Sequence, residues 1–307
     1  MQRAYMSKLM QLAEKDSNVL HLIADSGTGF DEMLRRNFPE QIFNFGISEN
    51  HMTATAAGLA TAGKISFIYT AGAFLAYRSF EFIRNDICFQ NLNVKIVGMG
   101  SGLSWSTLGP SHHTTEDTAI LRVLPNLTML SPATPLQTSA CTELAYRING
   151  PVYMKIGMNN EREFFDENYV ADAKGRDIIF DFDDKDIVVF SAGSILEEAF
   201  SSVEILADYG IKAGLVNVYS LKPFDYEVVY EAAKYAKIFV SIEEHNIYGG
   251  LGGIISEAIT ERGLPIKLIR IGLCDKFADG YGTHDAVRDV NGLSAEKISD
   301  EIMRRLL

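Results

Sequence analysis

Short, almost continuously apolar runs alternate along this chain with longer stretches of helical period. Residues 19–24 (VLHLIA), 65–69 (ISFIY), 94–98 (VKIVG), 127–130 (LTML) and 152–156 (VYMKI) read as strands covered on both faces, and 42–45 adds a shorter one. Helices are predicted near 2–15, 48–62, 73–90, 114–124 and 134–148. A second series opens at 187–191 (IVVFS), with strands at 213–218, 238–242 and 266–271 and helices at 194–208, 225–236, 250–261 and 295–306. Strands separated by helices of this length mean βαβ units and a mostly parallel sheet. The pattern therefore predicts an α/β fold with two doubly wound domains.

The break between the series is chemical as well as periodic. Residues 161–186 hold ten acidic and four basic side chains with no amphipathic period. This stretch reads as a solvated connection with a short strand possible at 178–182. The expected boundaries are 1–165, a linker at 166–186, and 187–307. A length of 307 residues agrees with two domains, and 47% hydrophobic with 22% charged residues is ordinary globular usage. The net charge of −12 argues against nucleic-acid backbones and anionic membrane surfaces as partners. Half of that charge sits in the connection. Cys88, Cys141 and Cys274 are sparse and lack metal spacing. With no signal-like start and no long apolar run, the expected setting is cytoplasmic, without a membrane partner.

Three segments carry candidate chemistry. In FNFGISENHMTATAAGLATAG (43–63) a turn at Gly46 leads into a helix of small residues, with Ser48 as the expected cap and Glu49 in the first turn. Glu49 is either an acid complementing the helix dipole or a carboxyl at the sheet edge where α/β folds bind ligands. In AGAFLAYRSFEFIRND (71–86), Phe74, Tyr77 and Phe80 stand three apart, as core packing or as a surface for a flat heterocycle. Arg78 and Arg84 read as surface charges. In GMGSGLSWSTLGPSHHTTEDTAILRVLPNL, a long glycine-rich loop after a strand holds Trp105 and the pair His112-His113, structural or functional with equal weight. Glu243, Glu244, His245 and Asn246 precede GGLGG at 249–253, read as a tight turn and close helix packing in preference to a phosphate cradle.

In this order, GISENHMTATAAGLA, FLAYRSFEFIRND and GPSHHTTEDTAILRVLPNLTMLSPAT resemble the pyrimidine-binding domain of the transketolases, and VSIEEHNIYGGLGGIISEAI (240–259) is similar to their C-terminal domain. The resemblance spans nearly the whole chain and implies thiamine diphosphate as cofactor. Glu49 then matches the glutamate that hydrogen-bonds the aminopyrimidine and promotes loss of the thiazolium C2 proton. Phe74, Tyr77 and Phe80 match the aromatic pocket around that ring, with Ile47 and Asp25 also at the cofactor. His112 matches the histidine facing the thiazolium and substrate. Ser101 and His113 are implied as further substrate contacts.

The same resemblance implies a missing half. The family binds the diphosphate and a divalent metal through Gly-Asp-Gly, which this sequence lacks. No metal ligand is therefore expected in this chain. Mg²⁺ (or Ca²⁺) and the diphosphate are expected on an N-terminal transketolase-like subunit, in a heterotetramer built on a homodimer core. Met99-Gly100-Ser101 and Thr107-Leu108-Gly109-Pro110 stand where phosphosugar transketolases carry Thr-His-Asp and Glu-Asp-Gly-Pro. Met158 stands near an expected arginine, and Gly29 near an expected serine. The implied activity is transfer of a two-carbon ketol unit between sugars, with a non-standard sugar as substrate. Alternatives are a deoxyxylulose phosphate synthase-like or 2-oxo acid dehydrogenase E1 β-type subunit, and a non-catalytic scaffolding paralogue.

Overall fold

The computed structural model describes residues 1–25, 35–159, 161–172 and 174–306. Among these, twelve strands form two sheets. They are β1 (Val19–Ile23), β2 (Ile42–Asn44), β3 (Ile65–Ala71), β4 (Val94–Met99), β5 (Thr128–Leu130), β6 (Val152–Ile156), β7 (Arg176–Phe180), β8 (Ile187–Ala192), β9 (Ala213–Val218), β10 (Ser220–Lys222), β11 (Ile238–Asn246) and β12 (Lys267–Leu273). The first sheet runs β10-β5-β6-β4-β3-β1-β2 and the second β12-β11-β8-β9-β7. All pairings are parallel except those of β10 and β7, each antiparallel at an edge. The expected α/β architecture with two parallel sheets is the one observed.

The periodicities explain the layers. Every residue of β1, β4 and β6 is buried, as continuous apolar runs covered by helices on both faces require. Helix α1 (Gln2–Lys15) buries Tyr5, Met6, Leu9, Leu12 and Ala13, a stripe at three-to-four spacing. It packs on helix 135–147, and helices 196–208 and 295–306 pack together over the second sheet. None of the described helices is long and apolar enough to cross a membrane.

The structure departs from the sequence pattern in several places. The helix predicted over 73–90 is largely a π-helix, over Phe74–Arg78 and again over Ile83–Cys88, with a single α turn at Phe80–Phe82. The helix predicted from 114 starts at Asp117, because Thr114 is tied by its backbone to Gly102. A helix at His284–Val290, without a clear apolar stripe, was not predicted. Another departure concerns the connection at 166–186, read as solvated linker. It supplies β7, and Phe180 packs at 5.2 Å on Phe200, which Phe164 also meets at 5.2 Å. Asp177 is reached by Gln137 of the first half (2.8 Å) and Asn217 of the second (3.1 Å), and burial raises its pKa. Only part of the acidic stretch is solvated.

The halves are also joined by strand β10, which leaves the second half to pair with β5. Beside it Lys222 donates to the carbonyls of Arg122 (3.0 Å) and Leu124. One core cluster runs from Leu22 and Ile96 through Leu221 to Phe239.

Candidate active site

Strands β4, β3, β1 and β2 are successive parallel neighbours and end on the same side, so the segments that follow β2, β3 and β4 meet at one sheet edge. In open parallel sheets the carboxyl edge is where ligands bind. All three chemical segments of the sequence converge there.

Glu49 is the first residue of helix α2 (Glu49–Thr61) and only 2% exposed. Ser48 precedes it but does not cap the helix: its hydroxyl turns back to the Phe45 carbonyl at 2.7 Å. The Glu49 carboxylate accepts from Arg78 Nη1 at 2.6 Å. The Arg78 guanidinium also lies 5.2 Å from the centre of the Phe74 ring. Arg78, read from sequence as a surface charge, is thus an ion-pair partner with a half-exposed side chain. The signal for it was the four-residue offset between Phe74 and Arg78, which stacks two side chains on a helical face.

The Phe74 ring meets His112 edge-on at 4.9 Å. Trp105 stands 6.0 Å from the same imidazole. Ser111 Oγ contacts His112 Nδ1 at 3.0 Å, which leaves Nε2 without a hydrogen-bond partner among the described residues. Tyr77 donates its hydroxyl proton to Glu116 at 2.7 Å and accepts the Glu116 N–H at 3.1 Å. Phe80 does not continue the row: it packs partly buried against the core. The wide π turns explain this, because positions three apart share a face on an α-helix and lose that phase when hydrogen bonds run i→i+5.

Ile47 is 77% exposed in the turn before Glu49. Asp25, at the exposed end of β1 with φ +46°, donates its N–H to Asn44 Oδ1 at 3.3 Å. Ser101 is buried, with its N–H on the Ile156 carbonyl at 3.0 Å, and lines a small enclosed cavity between the halves together with Ser131, Lys155 and Glu243. His113 is buried with neither ring nitrogen hydrogen-bonded among the described residues, and burial lowers its pKa. Gly29 lies outside the described residues. Among the described residues no group of three or more His, Cys, Asp and Glu stands together as a metal site.

Beneath this edge lies a charged layer that sequence reasoning missed. Asp117 is fully buried, 3.0 Å from Lys155 Nζ and 2.7 Å from the Tyr153 hydroxyl. Burial alone would raise its pKa, but Lys155 and His245, with the Tyr153 hydroxyl, hold it below the usual value. The signal was Lys155 itself, a lysine inside an otherwise apolar strand, which needs a buried partner. In the second half, Glu243 accepts the N–H groups of Leu251 (2.7 Å) and Gly252 (2.9 Å), so the protein's own carboxylate fills that helix N-terminus.

Comparison with known proteins gives these observations a context. Residues 1–160 match the family of the transketolase pyrimidine binding domain, and residues 178–298 that of the transketolase C-terminal domain. A putative transketolase C-terminal section of Methanocaldococcus jannaschii is 34% identical, over 100% of this chain and 96% of the relative. An apulose-4-phosphate transketolase subunit of Actinobacillus succinogenes is 33% identical, over 86% of this chain and 85% of the relative. Among solved structures, a split gene transketolase described as an inactive β4 tetramer superposes with a TM-score of 0.88 at 33% identity, covering 99% of this chain and 96% of that one.

Proposed function

The chain belongs to the transketolase family, and on that premise we propose that it is the C-terminal subunit of a split, thiamine diphosphate-dependent transketolase that moves a two-carbon ketol unit between sugars. The observation that carries this reading is the convergence of Glu49, Phe74 and His112 from three separate segments on one sheet edge.

The residues fit the aminopyrimidine half of the cofactor. A flat ring with N–H donors on its edge needs a carboxylate acceptor and an aromatic neighbour. Arg78, a flat guanidinium, makes both contacts here: its Nη1 on Glu49 at 2.6 Å and its plane near Phe74 at 5.2 Å. Phe74 and Ile47 would border the ring, with Tyr77 and Asp25 at its margins. Bound, thiamine diphosphate supplies the carbanion stabilisation that lets a ketose be cleaved. Glu49 would hold a proton between its Oε2 and a ring nitrogen, which requires Arg78 to release that oxygen. His112, its Nδ1 engaged by Ser111, would offer Nε2 to a substrate oxygen.

The diphosphate and Mg²⁺ (or Ca²⁺) would bind through an N-terminal transketolase-like subunit, two of each chain forming a heterotetramer. A non-standard sugar is favoured by Met158 at the position of an expected arginine. Met158 shares an open groove with Glu197, Glu198 and Asp285, surroundings poor for a phosphate. The relative named for apulose-4-phosphate supports an unusual sugar but is itself named for a phosphate ester, so it supports the sugar part of this reading and not the loss of a phosphate contact. The unbridged cysteines Cys88, Cys141 and Cys274 support a reducing cytoplasmic setting.

The test is calorimetric titration of thiamine diphosphate with Mg²⁺ into this chain alone and into its complex with the N-terminal subunit. The complex should bind at least about tenfold more tightly, a differential of about 1.4 kcal/mol. Equal affinity for the isolated chain would overturn the split-site reading.

A further inference from the structure

The loop that carries His112 is held at its base by the second half of the chain. Gly102 and Thr114 exchange backbone hydrogen bonds at 3.2 and 2.9 Å, so the loop leaves and re-enters through one neck. Just above that neck, the Leu103 N–H donates to Glu244 Oε2 at 2.9 Å. Glu244 sits near the end of β11, on the opposite half of the molecule.

This carboxylate is itself immobilised. Oε1 takes Arg288 at 2.5 Å and Oε2 takes His284 Nε2 at 3.0 Å. The Asn159 amide nitrogen lies 2.7 Å from His284 Nδ1, so the ring is held with Nε2 towards Glu244. Arg288 is fixed in turn by the Ser194 carbonyl at 3.0 Å and by Glu198 at 3.5 Å. Burial alone would raise the Glu244 pKa, but Arg288 and His284 overrule it and hold the carboxyl well below the usual carboxylate range. Gly102 records how close the approach is. It stands at φ +60°, and a Cβ there would collide with the Glu244 carboxylate.

The same half touches the loop twice more. The Gly282 N–H reaches the Ser106 carbonyl at 3.3 Å, and the Tyr281 ring lies where a side chain on Gly109 would project. These contacts are weaker and more exposed than that of Glu244, which alone brings a fixed charge to the neck.

We propose that Glu244 is the positioning residue for His112: by fixing the loop neck through Leu103 it stands the imidazole against Phe74, and so lets the second half of the chain set the reach of the histidine. The catalytic part of this inference rests on the role given to His112 above; the positional part does not.

Trp105, the single tryptophan, lies in the loop and reports its packing without substrate or partner. In the full-length chain, Glu244→Ala should raise acrylamide quenching of Trp105 roughly twofold or more and speed diethylpyrocarbonate modification of His112, while circular dichroism shows a folded protein. Glu244→Gln, which keeps an acceptor oxygen for Leu103, should restore most of both signals. Should Glu244→Ala fail to fold, Gly102→Ala, whose Cβ would press on the Glu244 carboxylate, pushes the neck away while Glu244, Arg288 and His284 all remain, and should give the same signature. A folded variant of either kind with unchanged quenching and unchanged His112 reactivity would overturn the proposal. In the assembled enzyme the released loop should lower kcat by roughly ten- to a hundredfold while substrate KM changes little. A released loop with unchanged kcat would leave the positioning standing and overturn the role of His112 instead.

Discussion

Two ion pairs in this molecule share a chemistry and differ in kind. Glu49–Arg78 joins a buried carboxylate to a guanidinium whose side chain is half in water, and among the described residues no further hydrogen bond holds either charged group. Glu244–Arg288 joins two groups each 5% exposed, with His284, Glu198, Ser194 and Leu103 completing the set. The second pair is saturated and cannot change partner without exposing a bare charge to a dry interior. The first can exchange its guanidinium for another flat donor at small cost, because water receives the released arginine. Saturation marks the architecture, and an exchangeable partner marks the candidate site.

That contrast can be broken by experiment, beginning with the largest effect. Glu49→Ala should lower turnover of the assembled enzyme by about 10³-fold or more, close to 4 kcal/mol in the barrier, while the subunits still assemble and the thermal midpoint barely moves. Activity near wild type in that variant would remove Glu49 from the chemistry. Arg288→Met should do the reverse, costing about 3–5 kcal/mol of folding stability by stranding Glu244, measurable by urea unfolding. The pH sign follows from Glu244. Its folded pKa is depressed, so its contribution is fully present above the unfolded value of about 4.3 and is lost as pH falls from there towards the folded value. Arg288→Met should therefore flatten acid unfolding in that window, and an unaltered acid limb would contradict the assignment.

Smaller effects sharpen the comparison. His112→Asn should reduce kcat by roughly a hundredfold and leave unfolding unchanged, since His112 is half-buried with one side-chain hydrogen bond. An effect confined to alkaline pH is expected at Lys95, buried under the carbonyls of Ile148 (2.6 Å) and Gly150 (2.8 Å), with its pKa pushed down to about 7 by burial. Between about 7 and its unfolded value the unfolded chain binds the extra proton, so stability should climb with pH there. Lys95→Met should lose that climb; a variant that keeps it would assign the slope to other groups.

What could be read from sequence was what is local. Continuous apolar runs fix β1, β3, β4 and β6, and Glu49, Phe74 and His112 each stand in a segment that follows a strand. Phe80 packs partly buried against the core, one of the two readings its spacing allowed, and no side-chain pattern here announces the π geometry around it. Glu244 was invisible as a loop anchor because its partner Leu103 is 141 positions away and contributes only a backbone N–H, which no residue type encodes. Ser101 faces an interior cavity for the same reason: its neighbours Lys155 and Glu243 arrive from distant strands. β7 was half visible, as an apolar flicker inside an acidic run.

The returning strand β10 has a consequence for how such a protein could be rearranged. By covering β5 it blunts an edge that would otherwise template pairing with another molecule. A cut between the two halves would strip that cover and leave β5 bare on one fragment and three orphaned residues on the other. Exchanging the second half for that of a relative would likewise succeed only if the incoming segment brought a matching strap. The two domains can be told apart by their sheets, but they are stitched together by a strand of one inside the sheet of the other, and domain shuffling would have to respect that seam.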